Sequence, residues 1–106
     1  DARIAPILEY IQQHLHESIS VEQLADRACL TKSYFIRRFR QVVGITPIQY
    51  VQKRKVQHAQ KLLLESEKSV GQIGAEVGFA DTAYFIRIFK SHIGYTPQEY
   101  RVRLIG

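Results

Sequence analysis

The stretch Thr46–Ser66, TPIQYVQKRKVQHAQKLLLES, predicts one long helix around which the rest of the chain is arranged. Thr46 is a typical N-cap residue, and Pro47 suits the first helical position, where a missing N–H costs nothing. Apolar residues then recur on one arc at about 100° per residue, although Gln52 and Lys55 interrupt this arc. At about 1.5 Å per residue the helix would be roughly 28 Å long.

The residues on the two sides of this helix are copies of each other. Ser20-Val-Glu-Gln23 recurs as Ser69-Val-Gly-Gln72 at an offset of 49 residues, and Tyr34-Phe-Ile-Arg37 recurs as Tyr84-Phe-Ile-Arg87 at an offset of 50. Nine of the seventeen residues at positions 34–50 are identical to their partners. Each copy has a capped short helix, a tight turn and a second amphipathic helix, which is the outline of a helix-turn-helix. The predicted fold is therefore all-α and duplicated, with a first subdomain at 1–45, a linking helix at 46–66 and a second subdomain at 67–106.

Charge is unevenly distributed along the chain. The net charge is +5, yet residues 1–26 carry −4, residues 27–64 carry +9 without any acidic residue, and residues 65–106 are neutral. A basic block beside an acidic end favours a polyanionic partner, although a charge run alone is more often a solvated face. No apolar run is long enough for a membrane span. The single Cys29 and the absence of Met favour a cytoplasmic setting and a chain that is part of a longer protein.

The second helix of each copy has an apolar face and a polar face on a helical wheel. The inward face is expected to hold Phe35, Phe39, Val42 and Val43 in the first copy, and Phe85, Phe89 and Ile93 in the second. The outward face holds Ser33, Arg37, Arg40 and Gln41, flanked by Ile36, and Ala83, Arg87, Lys90 and Ser91, flanked by Ile86. Such a face suits a major-groove reader, because Arg pairs with guanine and small or branched apolar residues contact the thymine methyl. Its repetition on both copies favours DNA contact over a merely solubilising surface.

The linking helix has the length to hold these two helices about one DNA turn apart, so that one chain would enter two successive major grooves. The cluster Lys53-Arg-Lys55 and the neighbouring Lys61 would attract phosphates, which positions a protein on DNA without specifying a sequence.

Two segments of the second copy carry a family resemblance: Gly78-Phe-Ala-Asp-Thr-Ala-Tyr-Phe-Ile-Arg-Ile-Phe-Lys90 and Gly94-Tyr-Thr-Pro-Gln-Glu-Tyr-Arg101. Together with Arg54, Ala59 and Leu62-Leu63, they make nearly the whole chain resemble the C-terminal DNA-binding domain of the AraC/XylS family of bacterial transcription regulators. The resemblance implies about seven helices in two homeodomain-like helix-turn-helix subdomains, with recognition helices around 32–43 and 82–93. It also implies promoter DNA as the partner, activation through RNA polymerase, a place on the bacterial nucleoid and, in many members, an N-terminal sensing and dimerising domain outside this chain.

The wheel and the resemblance together give two sets of expected contact residues. The positions that match the family's base-contacting ones, with Ile86 added from the wheel, are Ser33, Ile36, Arg37, Thr82, Ala83, Ile86 and Arg87. The residues expected to contact phosphates are Lys32, Arg40, Gln41, Lys53, Arg54, Lys61, Lys90 and Ser91.

Several other single residues are interpreted as structural rather than functional. Cys29 lies at the turn position that Gly78 occupies in the second copy, which suits a small turn residue better than a redox thiol. Gly74 is interpreted as a site of close helix packing, as is Ala25 in the first copy. The tyrosines of the repeat favour structural contacts over stacking on single-stranded bases; they are Tyr34, Tyr50, Tyr84 and Tyr100.

Three non-catalytic classes of function are compatible with these features: a protein-interaction module, a nonspecific architectural DNA binder and a sequence-specific regulator. No Ser-His-Asp, Cys-His, paired-carboxylate or metal-ligand arrangement is visible, so we expect neither an enzyme nor a metal or cofactor site. A helical protein-interaction module would tolerate charge reversal at Arg37 and Arg87. A nonspecific architectural binder would have nearly equal affinity for any duplex and a steep salt dependence. The repeated outward face favours a sequence-specific regulator over both alternatives.

Overall fold

The computed structural model describes residues 2–105, and within this range it contains seven α-helices and no β-strand. The helices are α1 (Ala5–Gln13), α2 (Val21–Arg27), α3 (Lys32–Val43), α4 (Pro47–Glu65), α5 (Val70–Glu76), α6 (Thr82–Ile93) and α7 (Pro97–Ile105). The all-α expectation is confirmed. Helices α3 and α6 coincide with the segments at 32–43 and 82–93 that were expected to be the recognition helices.

Helix starts in the two copies are fixed by the same local hydrogen bonds. At the start of α2 the backbone N–H of Gln23 donates to Ser20 Oγ over 3.2 Å, and the N–H of Ser20 donates to Gln23 Oε1 over 2.9 Å. The same reciprocal pair recurs at three further helix starts, between Thr46 and Gln49, Ser69 and Gln72, and Thr96 and Glu99. Each cap stabilises its helix by about 1 kcal/mol, so the sequence itself determines where these helices begin.

The turn that precedes α3, and likewise the turn that precedes α6, contains one residue with left-handed backbone geometry. This residue is Cys29, with a φ of 59°, in the first copy and Gly78, with a φ of 94°, in the second. The conformation is natural for Gly and strained for other residues. The interpretation of Cys29 as a turn residue is thereby confirmed, and its side chain is exposed.

By its internal contacts the chain divides into two compact units. Unit 1 comprises the residues up to Leu15 together with Ile19–Gln52, and unit 2 comprises His16–Ser18 together with the residues from Lys53 onward. Helix α4 is thus shared, with its first residues in unit 1 and the remainder in unit 2. The short segment His16–Ser18 belongs to unit 2, although it connects α1 to α2 along the chain.

Unit 1 has a core in which α3 contributes two fully buried rings. Phe35 and Phe39 are both 0% exposed, and their centroids lie 5.7 Å apart. Tyr50 at the start of α4 meets Phe39 edge-on at 5.8 Å. Helices α1 and α2 supply further buried aliphatic residues, which include Ile7, Ile11 and Leu24. The inward face expected for α3 is therefore confirmed at both phenylalanines.

Val42 is a correction to that inward face. Its side chain is 43% exposed, whereas Val43 is half-buried against the core. A helical wheel gives the direction of a side chain but not whether a neighbouring helix covers that turn, and the last turn of α3 leaves Val42 uncovered. The corresponding residue of the second copy is the exposed His92, so this position lies at the surface in both units.

Unit 2 has a core built around a row of aromatic rings. The centroids of Phe79 and Phe85 lie 5.1 Å apart, those of Phe85 and Phe89 5.9 Å apart, and those of Phe89 and Tyr100 5.5 Å apart. Gly74 of α5 packs directly against this row, because a Cβ at its position would lie only 2.7 Å from Phe85 Cδ2. The interpretation of Gly74 as a site of close helix packing is confirmed.

Candidate nucleic-acid interface

The outward face of α3 brings five of the expected contact residues together. The core contacts of Phe35 and Phe39 turn the opposite side of the helix toward solvent. That side is an open depression of about 450 Å³ lined by Ser33, Ile36, Arg37, Arg40 and Gln41. Ile36 is half-buried, and the other four side chains are exposed. A shallow surface that combines two arginines with apolar side-chain groups is compatible with base edges in a major groove.

Helix α6 presents an equivalent face in unit 2. Phe85 and Phe89 are both 0% exposed and anchor the helix in its core. The residues expected to contact DNA are exposed, apart from the half-buried flank residue Ile86; the exposed ones are Thr82, Ala83, Arg87, Lys90 and Ser91. The order of buried, half-buried and exposed residues along 82–93 is the same as along 32–43. The repeated sequence has therefore produced a repeated surface.

Helices α3 and α6 differ in the charge of their N-caps. Thr31 Oγ1 accepts a 3.4 Å hydrogen bond from the N–H of Tyr34, so the cap of α3 is neutral. Asp81 Oδ1 accepts a 2.8 Å hydrogen bond from the N–H of Ala83, so the cap of α6 is a carboxylate. A helix N-terminus attracts anions, and the carboxylate of Asp81 already occupies this role in α6. A phosphate would meet less opposing charge at the start of α3.

Arg37 and Arg87 each lie over the ring of a tyrosine one helical turn earlier. The guanidinium carbon of Arg37 is 5.5 Å from the centroid of the Tyr34 ring, and that of Arg87 is 5.2 Å from the Tyr84 centroid. Both distances lie within the ~6 Å range of cation–π attraction. The tyrosines are 38% and 37% exposed. Sequence reasoning treated these tyrosines as structural and did not connect them with the arginines, although the spacing of three residues was visible.

Lys55 is not available to phosphates, which corrects the expectation for the basic cluster of α4. Its side chain is only 5% exposed. The ammonium Nζ donates to the carbonyl oxygens of Glu17, Val77 and Gly78 over 2.7, 3.2 and 3.2 Å. Burial lowers the pKa of this ammonium to about 8, and the negative charge of Glu17 opposes the shift. In the sequence, Lys55 falls within the apolar arc of α4, and this position indicates its inward orientation.

The other expected phosphate contacts differ in how they are engaged within the protein. Lys53 and Lys61 are exposed on α4. Half-buried Arg54 donates from Nη1 to Gln57 Oε1 over 3.0 Å. Lys32 lies 3.0 Å from Glu22 Oε1, and the hydrogen bond from Lys32 is the main cause that lowers the pKa of the Glu22 carboxyl. Lys32 would therefore exchange one anionic partner for another on meeting a phosphate.

Arg101 has a structural role that the sequence pattern did not reveal. Its Nε donates to the carbonyl oxygen of Leu63 over 3.0 Å, and its Nη2 donates to that of Ser66 over 3.1 Å. These carbonyls lie at the C-terminal end of α4, where the last helical turn leaves acceptors without intrahelical donors. Arg101 therefore caps α4 from α7.

Comparison with known proteins identifies the family. The family described as "Helix-turn-helix domain" matches residues 24–103. The MmsAB operon regulatory protein of Pseudomonas aeruginosa is 38% identical over 95 residues, which are 90% of this chain and 31% of that protein. The HTH-type transcriptional activator RhaS of Escherichia fergusonii is 34% identical over 82 residues, which are 77% of this chain and 30% of that protein. This chain therefore spans about a third of the length of these relatives.

A solved structure supports the same family assignment. The DNA-binding domain of AdpA, a global transcriptional factor solved in complex with a target DNA, superimposes with a TM-score of 0.90 and 34% identity. The match covers 94% of this chain and 90% of that chain. Fold and surface define a helix-turn-helix DNA-binding domain. The chain belongs to the AraC/XylS family of bacterial transcription regulators and matches the DNA-binding helix-turn-helix part of that family.

Within residues 2–105, none of the helices combines the length and the apolar character that crossing a membrane requires.

Proposed function

We propose that this chain reads a specific promoter sequence in double-stranded DNA by inserting α3 and α6 into major grooves. The observation that carries the proposal is the duplicated arginine face. Arg37 and Arg87 occupy the same register, are exposed, and lie beside the half-buried Ile36 and Ile86. Arg can form paired hydrogen bonds with guanine O6 and N7, and Ile can contact a thymine methyl. Ser33, Thr82 and Ala83 are small enough to allow the helices to approach the bases closely.

The use of both helices by one chain is part of this proposal. Helix α4 is 19 residues long, which corresponds to about 28 Å at 1.5 Å per residue. Successive major grooves on one face of B-DNA are about 34 Å apart. Equivalent outward faces, each with an arginine and an isoleucine in the same register, support a bipartite site with two short blocks of specified bases.

Phosphate contacts are proposed to fix the register of the protein on the duplex. Lysine and arginine side chains neutralise phosphates and release counterions, which gives affinity without sequence preference. The exposed cations in this role are Arg40, Lys53, Lys61 and Lys90, assisted by the polar Gln41 and Ser91. Lys32 and Arg54 join them by leaving Glu22 and Gln57, their present partners.

The family and its members also support a wider role for the chain. We propose that the chain is the DNA-binding part of a longer transcription activator that acts on the nucleoid in the bacterial cytoplasm and contacts RNA polymerase. An additional sensing and dimerising domain fits the fact that this chain spans about a third of its relatives. The relative RhaS is named as a transcriptional activator, which supports activation over repression.

Selection of bound sequences from a pool of random duplexes, at physiological salt, tests the proposal. We expect enrichment of two short blocks about one helical turn apart. One block alone would mean that a single unit reads bases while the other only anchors the chain. No enrichment, with tight binding to every duplex, would replace the proposal by nonspecific architectural binding. No binding to any duplex would replace it by a protein-interaction role.

A further inference from the structure

Each recognition helix carries a tyrosine stacked against its central arginine. The Arg37–Tyr34 and Arg87–Tyr84 distances of 5.5 and 5.2 Å are nearly the same. Residues three apart are neighbours on a helix surface, and both tyrosines are more than a third exposed. The tyrosine rings thus lie at the edge of the proposed DNA-reading faces and not inside the cores. A contact that recurs in both units at closely similar geometry indicates a function beyond general packing.

We infer that Tyr34 and Tyr84 are positioning residues that hold the guanidinium groups of Arg37 and Arg87 in the orientation required to read a base; the inference rests on the proposed function. A free arginine side chain loses about 2 kcal/mol of rotamer entropy when it is fixed. A tyrosine has only two side-chain torsions and is comparatively rigid. A guanidinium that already lies over an aromatic face therefore loses less freedom when it pairs with guanine.

The two units hold their tyrosines differently, which predicts a difference in strength. In unit 2 the ring of Tyr84 is supported edge-on by Phe79, with centroids 5.9 Å apart and an interplanar angle of 60°. Phe79 is itself only 8% exposed. In unit 1 a second cation, Arg3, lies 5.7 Å from the Tyr34 centroid. The ring of Tyr34 is thus shared between Arg3 and Arg37. We expect the larger positioning effect in unit 2.

The test uses Tyr84→Leu and Tyr84→Phe, with the selected duplex and a random duplex of equal length as probes. The quantity measured is the ratio of the two affinities. Tyr84→Leu removes the aromatic face and keeps a good helix former, so the ratio should fall about two- to fivefold, the range of an exposed cation–π contact. Tyr84→Phe keeps the face and should retain the wild-type ratio. Tyr34→Leu should give a smaller loss than Tyr84→Leu.

A double-mutant cycle with Arg87→Ala separates positioning from direct DNA contact. In the Arg87→Ala background, Tyr84→Leu should cause no further loss of the affinity ratio, because no guanidinium remains to be held. An undiminished loss in that background would overturn the inference in favour of a tyrosine that contacts DNA itself. A loss in Tyr84→Phe equal to that in Tyr84→Leu would assign the effect to the hydroxyl group and would also overturn it.

Arg87→Ala alone distinguishes failure of this inference from failure of the proposed function. If Arg87→Ala lowers the affinity ratio and Tyr84→Leu does not, base reading stands and only the positioning role falls. If Arg87→Ala leaves the ratio unchanged, both fall.

A measurement on the free protein tests the contact without DNA. The side-chain NMR resonances of Arg87 should be shifted upfield by the ring current of Tyr84 in the wild type and in Tyr84→Phe. They should return to ordinary positions in Tyr84→Leu. Ordinary positions in the wild type would mean that the guanidinium does not rest on the ring in solution, and the inference would be wrong. Circular dichroism of each variant shows whether the fold is retained.

Discussion

The ammonium Nζ of Lys55 donates a 3.2 Å hydrogen bond to the carbonyl oxygen of Val77, the C-cap residue of α5. It donates at the same distance to Gly78, the left-handed residue of the turn that leads to α6. A cation is favourable at a helix C-terminus, where carbonyl groups point outward without partners. The lysine of α4 therefore stabilises the turn between the two helices of the second helix-turn-helix.

Titration of Lys55 should make the stability of the protein depend on pH. The pKa of Lys55 is about 8 in the folded chain, below its ordinary value of 10.5. Between these two pH values the unfolded chain binds the proton and the folded chain releases it, so the free energy of unfolding rises with pH. We expect the free energy of unfolding of the wild type minus that of Lys55→Met, both measured by urea denaturation, to increase by roughly 2 kcal/mol from pH 7 to pH 10.

The matched control for this titration is Lys53→Met, because Lys53 lies on the same helix but is exposed. The difference from wild type should depend on pH more strongly for Lys55→Met than for Lys53→Met, because only the Lys55 ammonium is buried. A constant difference for Lys55→Met would mean that the buried ammonium keeps an ordinary pKa.

Gly74→Ala should destabilise unit 2. The new Cβ would lie 2.7 Å from Phe85 Cδ2 and 3.0 Å from Cγ, atoms near the base of a ring that is fully buried. Overpacking of this kind costs about 1–3 kcal/mol, which exceeds the gain of up to about 1 kcal/mol from replacing a helical Gly. We expect a net loss of about 1–2 kcal/mol in the free energy of unfolding, measured by urea denaturation.

Gly71→Ala is the control on the same helix. Its Cβ would lie 3.6 Å from Thr82 Oγ1, an ordinary contact, so stability should be unchanged or slightly higher. Equal stability of the Gly74 and Gly71 variants would show that α5 and α6 can separate without penalty.

Arg101→Lys should destabilise the end of α4. An arginine can donate to the carbonyls of Leu63 and Ser66 at once because its guanidinium carries donors in a fixed fork. A lysine presents a single point charge on a flexible stem and cannot reproduce both bonds. The expected loss is about 1–2 kcal/mol in the free energy of unfolding. Arg103→Lys, on the exposed side of the same helix, alters only the stacking of a guanidinium 4.3 Å from the Tyr95 centroid and should change stability by less than about 1 kcal/mol. An equal or larger loss in Arg103→Lys than in Arg101→Lys would contradict the capping role.

Lys53→Ala should weaken binding to all duplexes alike. Each lost phosphate contact reduces the slope of log K against log salt by about 0.9, so a slope smaller by that amount is expected on selected and random duplexes. Lys55→Met should leave the slope unchanged because its ammonium is buried among carbonyls. A slope that depends on Lys55 and not on Lys53 would reverse the assignment of these two lysines.

Much of this fold is encoded locally and was therefore readable from the sequence. Reciprocal caps such as Ser20 with Gln23 fix helix starts through residues three apart, and the repeat specifies the same surface twice. Contacts between distant segments were harder to predict. The wheel placed Lys55 within the apolar arc, yet the sequence assigned it to the phosphate-attracting cluster, because its acceptors come from the distant residues 17, 77 and 78. The cap of α4 by Arg101 and the exposure of Val42 also depend on which helix covers which turn.

The candidate site also combines features that the sequence predicted with features that depend on contacts between helices. The outward direction of Arg37 and Arg87 followed from helical periodicity, and the structure has both side chains exposed. The engagement of Lys32 with Glu22 links α3 to α2, and a wheel drawn for one helix does not contain that information. Whether these side chains contact bases or phosphates remains a prediction of the sequence and the proposed function.

The affinity of Arg87→Ala for a selected duplex and for a random duplex, at one physiological salt concentration, tests the central claim most directly. A base-reading arginine predicts a loss of about 1–3 kcal/mol on the selected duplex, a relaxed base preference at one position and little change on the random duplex. Arg37→Ala should relax a different position. Equal losses on both duplexes would mean that Arg87 contacts only the DNA backbone, and would contradict sequence reading by the repeated arginine.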